Sequence, residues 1–129
     1  MEPYDLCEDL QCPEVEQAVW DKALVVEGYD KTLYRKDFAG AWIMRSERGN
    51  TDSPYGWEID HVYPEALGGE NHFINLRPMH WRNNRSKSDD YPRYKAVVVS
   101  ENNGNVERDT PCKVNDKLVA ELNALYQVK

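Results

Sequence analysis

Cysteine is scarce in this chain. There are three, Cys7, Cys12 and Cys112, among 129 residues, and none forms a CxxC pair. An odd, scattered set excludes a disulfide framework and a four-cysteine zinc site, and it fits a reducing cytoplasmic compartment. Long hydrophobic runs are also missing. The longest aliphatic stretch is Ala96-Val97-Val98-Val99, far short of a membrane span. Met1–Asp5 is acidic and has no apolar leader, so no secretory signal is expected. No internal repeat and no low-complexity segment is visible. What remains is 40% hydrophobic and 30% charged, the composition of one soluble globular domain able to bury a core without staples.

The net charge is −7, which on its face disfavours a polyanionic partner. The charge is unevenly placed. Residues 1–30 hold nine acids and one base, Lys22. Residues 72–95 hold six bases (Arg77, Arg82, Arg85, Lys87, Arg93, Lys95) against Asp89 and Asp90, with His72 and His80 in addition. An acidic N-terminal segment over 1–12 is therefore expected ahead of a domain over 13–129 with one basic stretch. That stretch is either a solvated helix face or a nucleic-acid contact.

Pro13 opens an expected helix to about Ala23, with proline at its first position and acids in its first turn. Gly28-Tyr29-Asp30 reads as a turn. Residues 40–45 and 55–62 read as two strands of a hairpin, with Trp57 and Ile59 on the core face. Pro64 ends the second strand and Gly68-Gly69 forces a loop. A short extended piece follows at Phe73–Leu76. Pro78 is expected at the start of a helix running to about Ser88, before Tyr91-Pro92. Tyr94–Ser100 is β-branched, Asn103-Gly104 signals a hairpin, and Asn115 can cap a final helix with Leu118, Leu122 and Leu125 on its apolar face. The fold class is a small single α+β domain.

The chemistry-bearing residues lie in one stretch. It runs Trp57-Glu58-Ile59-Asp60-His61-Val62-Tyr63-Pro64, then Gly68-Gly69, then Asn75 through Lys87. Asp60-His61 sets a hard anionic oxygen beside a base that titrates near neutral pH. His80, Asn84 and Lys87 fall at i, i+4 and i+7, one face of a helix. Such a face, set opposite Asp60-His61, could offer an amide oxygen to a metal and a cation to a phosphate. Phosphodiester hydrolysis needs those parts: a base for water and a Lewis acid for the leaving oxygen. One geometric difficulty stands. Neighbours on a regular strand point to opposite faces, so Asp60 and His61 share a site only if the strand bends or ends there.

The stretch resembles the HNH endonuclease motif, the ββα-metal or His-Me finger. The matching features are Asp-His, a proline three residues past the histidine, Gly-Gly, Asn-Leu, and a helix carrying Asn and Lys. The motif covers 57–87, and Tyr34–Asp37, Gly40–Ile43 and Tyr55–Trp57 extend the likeness to small stand-alone bacterial and phage-type members over 20–90. The resemblance implies a ββα-metal core over about 55–89 with flanking helices, and a C-terminal strand and helix over about 94–127. It implies a metal-dependent endonuclease that nicks or cleaves DNA. His61 is then the general base, Asp60 and Asn84 the metal ligands, and Asn75 the brace that orients His61. Lys87 contacts phosphate, and Arg77, His80, Arg82 and Arg85 are candidate nucleic-acid contacts. His80 could also sit on the metal side of the helix, but its first reading is a packing or surface residue.

Many members bind a structural zinc through two CxxC pairs. Here the second pair's positions read His80 and Asn83 and the first is missing, so no structural zinc is expected and Trp42, Trp57 and Trp81 would brace the core. Asn84 in the place of a histidine favours one Mg²⁺ or Mn²⁺ ion over softer metals. Glu58 either reaches the metal or pairs with a nearby Arg or Lys, and Arg35, Lys36 and Asp37 read as a structural ion pair. A homodimer or a larger protein partner is compatible with the sequence, and a membrane is not. The alternative is a non-enzymatic module binding nucleic acid or protein on the same scaffold.

Overall fold

The computed structural model describes Cys7 and residues 9–128. The acidic segment expected over 1–12 lies mostly outside the described residues. Three helices and six strands follow in the order α1 (Pro13–Trp20), β1 (Tyr34–Lys36), β2 (Trp42–Met44), β3 (Trp57–His61), β4 (Leu76–His80), α2 (Trp81–Lys87), β5 (Arg93–Glu101), β6 (Gly104–Lys113) and α3 (Asp116–Tyr126). This is an α+β arrangement. The strands form three separate antiparallel pairs, β1–β2, β3–β4 and β5–β6. No helix among the described residues is long and apolar enough to cross a membrane.

Two packed clusters hold the elements together. Val19, Trp20 and Ala23, at and just past the end of α1, meet Ile43, Trp57 and Leu76. Val62, Met79, Tyr94, Val114 and Leu122 form the second, under α3. β3–β4 lies between them and contributes to both, Trp57 and Leu76 to one and Met79 to the other. Trp57 and Trp42 are buried as expected, whereas Trp81 is only half-buried. Part-buried polar ties fasten the α1 region to its neighbours. Lys22 Nζ donates to the carbonyls of Phe73 and Leu76, at 2.6 Å for the latter, and so fastens the end of the α1 region to the start of β4. Glu16 accepts from Arg45 and Arg48 and fixes α1 to the turn after β2.

Several expectations are corrected. Residues 40–45 and 55–62 do not pair as a hairpin. β2 pairs with β1, a strand the sequence did not reveal, and β3 pairs with β4. The reason is reach: β1 is three residues with no alternation to read, and Asp37 closes the tight turn to β2 by accepting from Ala39 and Ala41 N–H. Pro78 does not open a helix. It lies inside β4 opposite Ile59, where β4 has no second neighbour, so its missing N–H is tolerated. α2 starts three residues later at Trp81, and the His80 side chain caps it by accepting from Arg82 N–H. Phe73–Asn75 is a 3₁₀ turn rather than an extended piece. α1 ends at Trp20, not Ala23.

The C-terminal half follows the sequence closely. β5 and β6 are joined by a two-residue turn at Asn102-Asn103, one position before the expected Asn-Gly, with Asn102 at φ 55°. Asparagine tolerates that left-handed conformation better than other residues with a Cβ. Asn115 caps α3 by accepting from Leu118 N–H at 2.9 Å. Leu122 faces the core, and Leu125 lies near the surface.

Candidate active site

β3 and α2 border an open cleft of about 500 Å³ that includes Glu58, Asp60, His61, Glu65, Asn84 and Arg85. Asp60 and His61 both reach it although they are strand neighbours. Glu58 and Ile59 border it too, and β3 ends at His61, where the chain turns into a loop; the Asp60 carboxylate is buried against Arg77 and Lys87.

Asn75 builds that loop. Its side chain is fully buried, accepts from Tyr63 N–H at 2.7 Å, and donates to the carbonyls of Tyr63 and Glu70 at 3.0 and 3.1 Å. Its backbone carbonyl accepts from Val62 N–H. One amide thus closes both ends of the segment that leaves His61. Gly69 makes the closure possible: a Cβ there would lie 1.8 Å from the Tyr63 carbonyl oxygen.

His61 is partnered on both ring nitrogens. Nε2 lies 2.7 Å from Asn71 Oδ1, and Nδ1 lies 3.5 Å from Glu65 Oε1. Asn71 sits in the braced loop, and its carbonyl accepts from Cys7 N–H at 2.7 Å. Sequence reasoning missed Asn71, because an asparagine four residues before Asn75 in a polar loop carries no signal of its own.

Asp60 is buried and held by two cations. Arg77 Nε lies 3.1 Å from Oδ2 and Lys87 Nζ 3.3 Å from Oδ1. Lys87 also donates to the His61 carbonyl at 3.2 Å. Burial pushes the Lys87 ammonium below its ordinary pKa, opposed by the Asp60 charge. The expected phosphate contact of Lys87 is corrected here: its side chain is fully buried and faces Asp60, not the cleft mouth. Arg77 is corrected for the same reason, being buried on the cross-strand partner of Asp60.

His80 is corrected as well. It is buried, its Nε2–H donates to the Pro54 carbonyl at 2.9 Å, and its Nδ1 accepts from Arg82 N–H. That pattern defines the neutral tautomer, and burial pushes its pKa down accordingly. Asn83, the other position aligned with a zinc cysteine, is a buried junction. It donates to Asp37 Oδ2 at 3.1 Å and to the Val98 carbonyl at 2.9 Å, and its Oδ1 accepts from Val97 and Val98 N–H. Those two adjacent donors turned to one oxygen account for the register shift in β5 between Ala96 and Val98. Asp37 also accepts from His80 N–H at 3.0 Å, so Asp37 locks the start of α2 rather than forming an ion pair with Arg35 or Lys36. Arg35 instead reaches Asp21 and the carbonyls of Lys31, Asp21 and Ala23.

At the cleft rim Glu58 accepts from Asn84 Nδ2 at 3.1 Å and from Arg85 at 3.3 Å. Arg85 is largely exposed, and Arg82 pairs with Glu107 at 2.7 Å. The Asn84 Oδ1 accepts no hydrogen bond among the described residues. The cleft's oxygens, from Asp60, Asn84 and Glu58, are of the kind a hard divalent ion takes, but both Asp60 oxygens are engaged by Arg77 and Lys87 and both Glu58 oxygens by Asn84 and Arg85. Among the described residues no group of three His, Cys, Asp or Glu side chains could enclose a metal.

No protein-family model, curated protein or solved structure matches the chain.

Proposed function

We propose that this chain is a metal-dependent endonuclease of the HNH type that hydrolyses phosphodiester bonds in DNA, with the β3–β4–α2 succession as its ββα-metal unit. The supporting observation is that Asp60, His61 and Asn84 border one open cleft, with Asn75 tying the loop between the two strands. His61 accepts the proton of the attacking water through Nε2, which requires the ring to leave Asn71 and to carry its own proton on Nδ1, toward Glu65. Asn75 fixes where the ring starts from. Arg85 at the rim meets the DNA backbone, and Arg82 flanks it, so binding weakens with salt. Lys87 and Arg77 act indirectly, holding the Asp60 carboxylate in one orientation. A divalent ion at Asp60 and Asn84 would supply charge stabilisation for the leaving oxygen.

The second reading, a nucleic-acid- or protein-binding module without catalysis, is favoured by one feature. Both Asp60 oxygens face cations and both His61 nitrogens face acceptors. A supercoiled-plasmid assay with Mg²⁺ or Mn²⁺, an EDTA control and His61→Ala separates the two. Ion-dependent nicking that falls about 100-fold or more in the variant supports the nuclease. A folded protein that binds DNA and never nicks it supports the module.

A further inference from the structure

A second cavity, of about 360 Å³, opens on one face of β1–β2 and shares no lining residue with the cleft. Its volume is within the ordinary range for small-molecule sites. Four aromatic side chains line it, Tyr29, Tyr34, Trp42 and Tyr55, and Ile43, Met44 and Asn103 complete the wall. No lining residue carries a charge. The strand pairing sets Tyr34 opposite Met44 and Lys36 opposite Trp42. Opposed residues, and residues two apart on a strand, share a face. Lys36 therefore rises beside the cavity from the same side of the pair.

The β5–β6 turn holds the walls in place. Tyr29 donates its hydroxyl to Asn103 Oδ1, Tyr55 donates its own to the Asn103 carbonyl at 3.4 Å, and Trp42 Nε1 donates to the Asn102 carbonyl at 2.9 Å. Trp42 is buried and already covered, with the Tyr29 ring centroid 4.6 Å and Lys36 Nζ 4.9 Å from its own. Tyr34 and Tyr55 differ: among the described residues neither ring has an aromatic or cationic neighbour. The Tyr34 hydroxyl and Asn103 Nδ2 likewise have no hydrogen-bond partner among the described residues.

An occupant that fits is neutral where it is enclosed, flat enough to stack on tyrosine, and polar at its edge to meet that hydroxyl and amide. Lys36 makes no ion pair among the described residues, so its ammonium repels an organic cation and favours an anion just outside the cavity. A neutral heteroaromatic ring bearing a phosphate meets all of these demands. We propose that this cavity binds one nucleotide unit, its base against Tyr34 and Tyr55 and its phosphate at Lys36, supplied by a free mononucleotide or by a single strand. This site does not depend on the chain being a nuclease.

The test is calorimetry on the full chain in EDTA, so that no metal-dependent cleavage intervenes, with backbone-amide NMR shifts to locate the ligand. The probes are deoxyadenosine monophosphate, deoxyadenosine, tetradeoxyadenylate, inorganic phosphate and tetramethylammonium. The monophosphate is expected to bind about threefold or more tightly than the nucleoside, with shifts centred on Tyr34, Met44 and Asn103. Tyr34→Ala, at an exposed position, should weaken it about fivefold or more, as loss of a stacking ring does. Lys36→Gln should abolish the advantage of the monophosphate and leave nucleoside binding unchanged. Tetradeoxyadenylate binding about tenfold or more tightly than the monophosphate assigns the site to a strand, and comparable binding assigns it to a free nucleotide; both uphold the proposal. No monophosphate binding up to about 10 mM, phosphate or tetramethylammonium binding as tightly as the monophosphate, shifts centred on His61 and Asn84, or undiminished binding by a folded Tyr34→Ala protein would each overturn it.

Discussion

Lys87 and Asp60 form an ion pair at 3.3 Å in which neither side chain reaches solvent to any extent. Removing one partner of a buried pair leaves the other charge stranded, and the two removals are not equivalent here. Lys87→Met leaves Asp60 with Arg77 and should cost about 1–3 kcal/mol. Asp60→Asn strands two cations and should cost more, about 3–5 kcal/mol. Urea denaturation of both variants measures the order, and equal losses would show that Arg77 does not share the carboxylate.

The contact of His61 with Asn71 gives a second prediction. In Asn71→Ala the Nε2 loses its partner at 2.7 Å, so the ring is freed toward the cleft. If nicking is found, this variant should raise its rate about two- to fivefold, as expected of a base released from a competing hydrogen bond. A fall in rate would instead assign Asn71 the task of orienting the ring.

Asn75→Ala removes three-way side-chain bracing of the loop without changing the cleft's own side chains. It leaves Tyr63 N–H and two carbonyls without their partner, a loss of about 2–4 kcal/mol. Gly69→Ala should be comparably damaging, since its Cβ would fall 1.8 Å from a backbone oxygen. Thermal unfolding of each measures the loss. A Gly69→Ala protein as stable as wild type would show that the loop can open at that point.

Lys22 sets a pH dependence of stability. Burial lowers its pKa from 10.5 to about 8. The unfolded chain therefore holds more protons than the folded one between those values, and stability rises as pH increases from about 8 toward 10.5. The gain attributable to Lys22 is on the order of 2 kcal/mol. The raised thiols of Cys7 and Cys112 act with the opposite sign, because their thiolates form more readily once unfolded. Comparing wild type with Lys22→Met across that range isolates the lysine. The variant's curve should lack the rise.

The parts of the fold written in local patterns were legible. Asn115 before an amphipathic run marked α3, and an aliphatic run before Asn103-Gly104 marked the β5–β6 hairpin, with the turn one residue earlier than read. The spacing of Asp60, His61, Asn75 and Asn84 marked residues that the fold sets around one loop and one cleft. What failed was decided at long range. Pro78 reads as a helix start by local rules, and only the absence of a second neighbour on β4 lets it be a strand residue. Lys87 and Arg77 read as free cations, because nothing in the sequence says that both will be turned inward on one aspartate. Asp37 and Asn83 are polar residues with no periodic role, yet together they position α2 against β5. Partners separated by dozens of residues leave no mark in a local window.

Among the described residues, six strands in three separate pairs leave every strand as an edge. Unguarded edges recruit other chains, so such a molecule would be prone to assemble into fibrous aggregates. Several features stand against that. β4 is buried along its whole length, and the exposed Pro111 removes a donor from β6. Glu107, Arg108 and Asp109 set exposed charges along β6. Bridges from Leu24 and Arg48 occupy part of the open sides of β1 and β3. The exposed Pro111 is thus a safeguard for colloidal solubility, and replacing it with valine would favour intermolecular strand pairing even where the fold itself is unharmed.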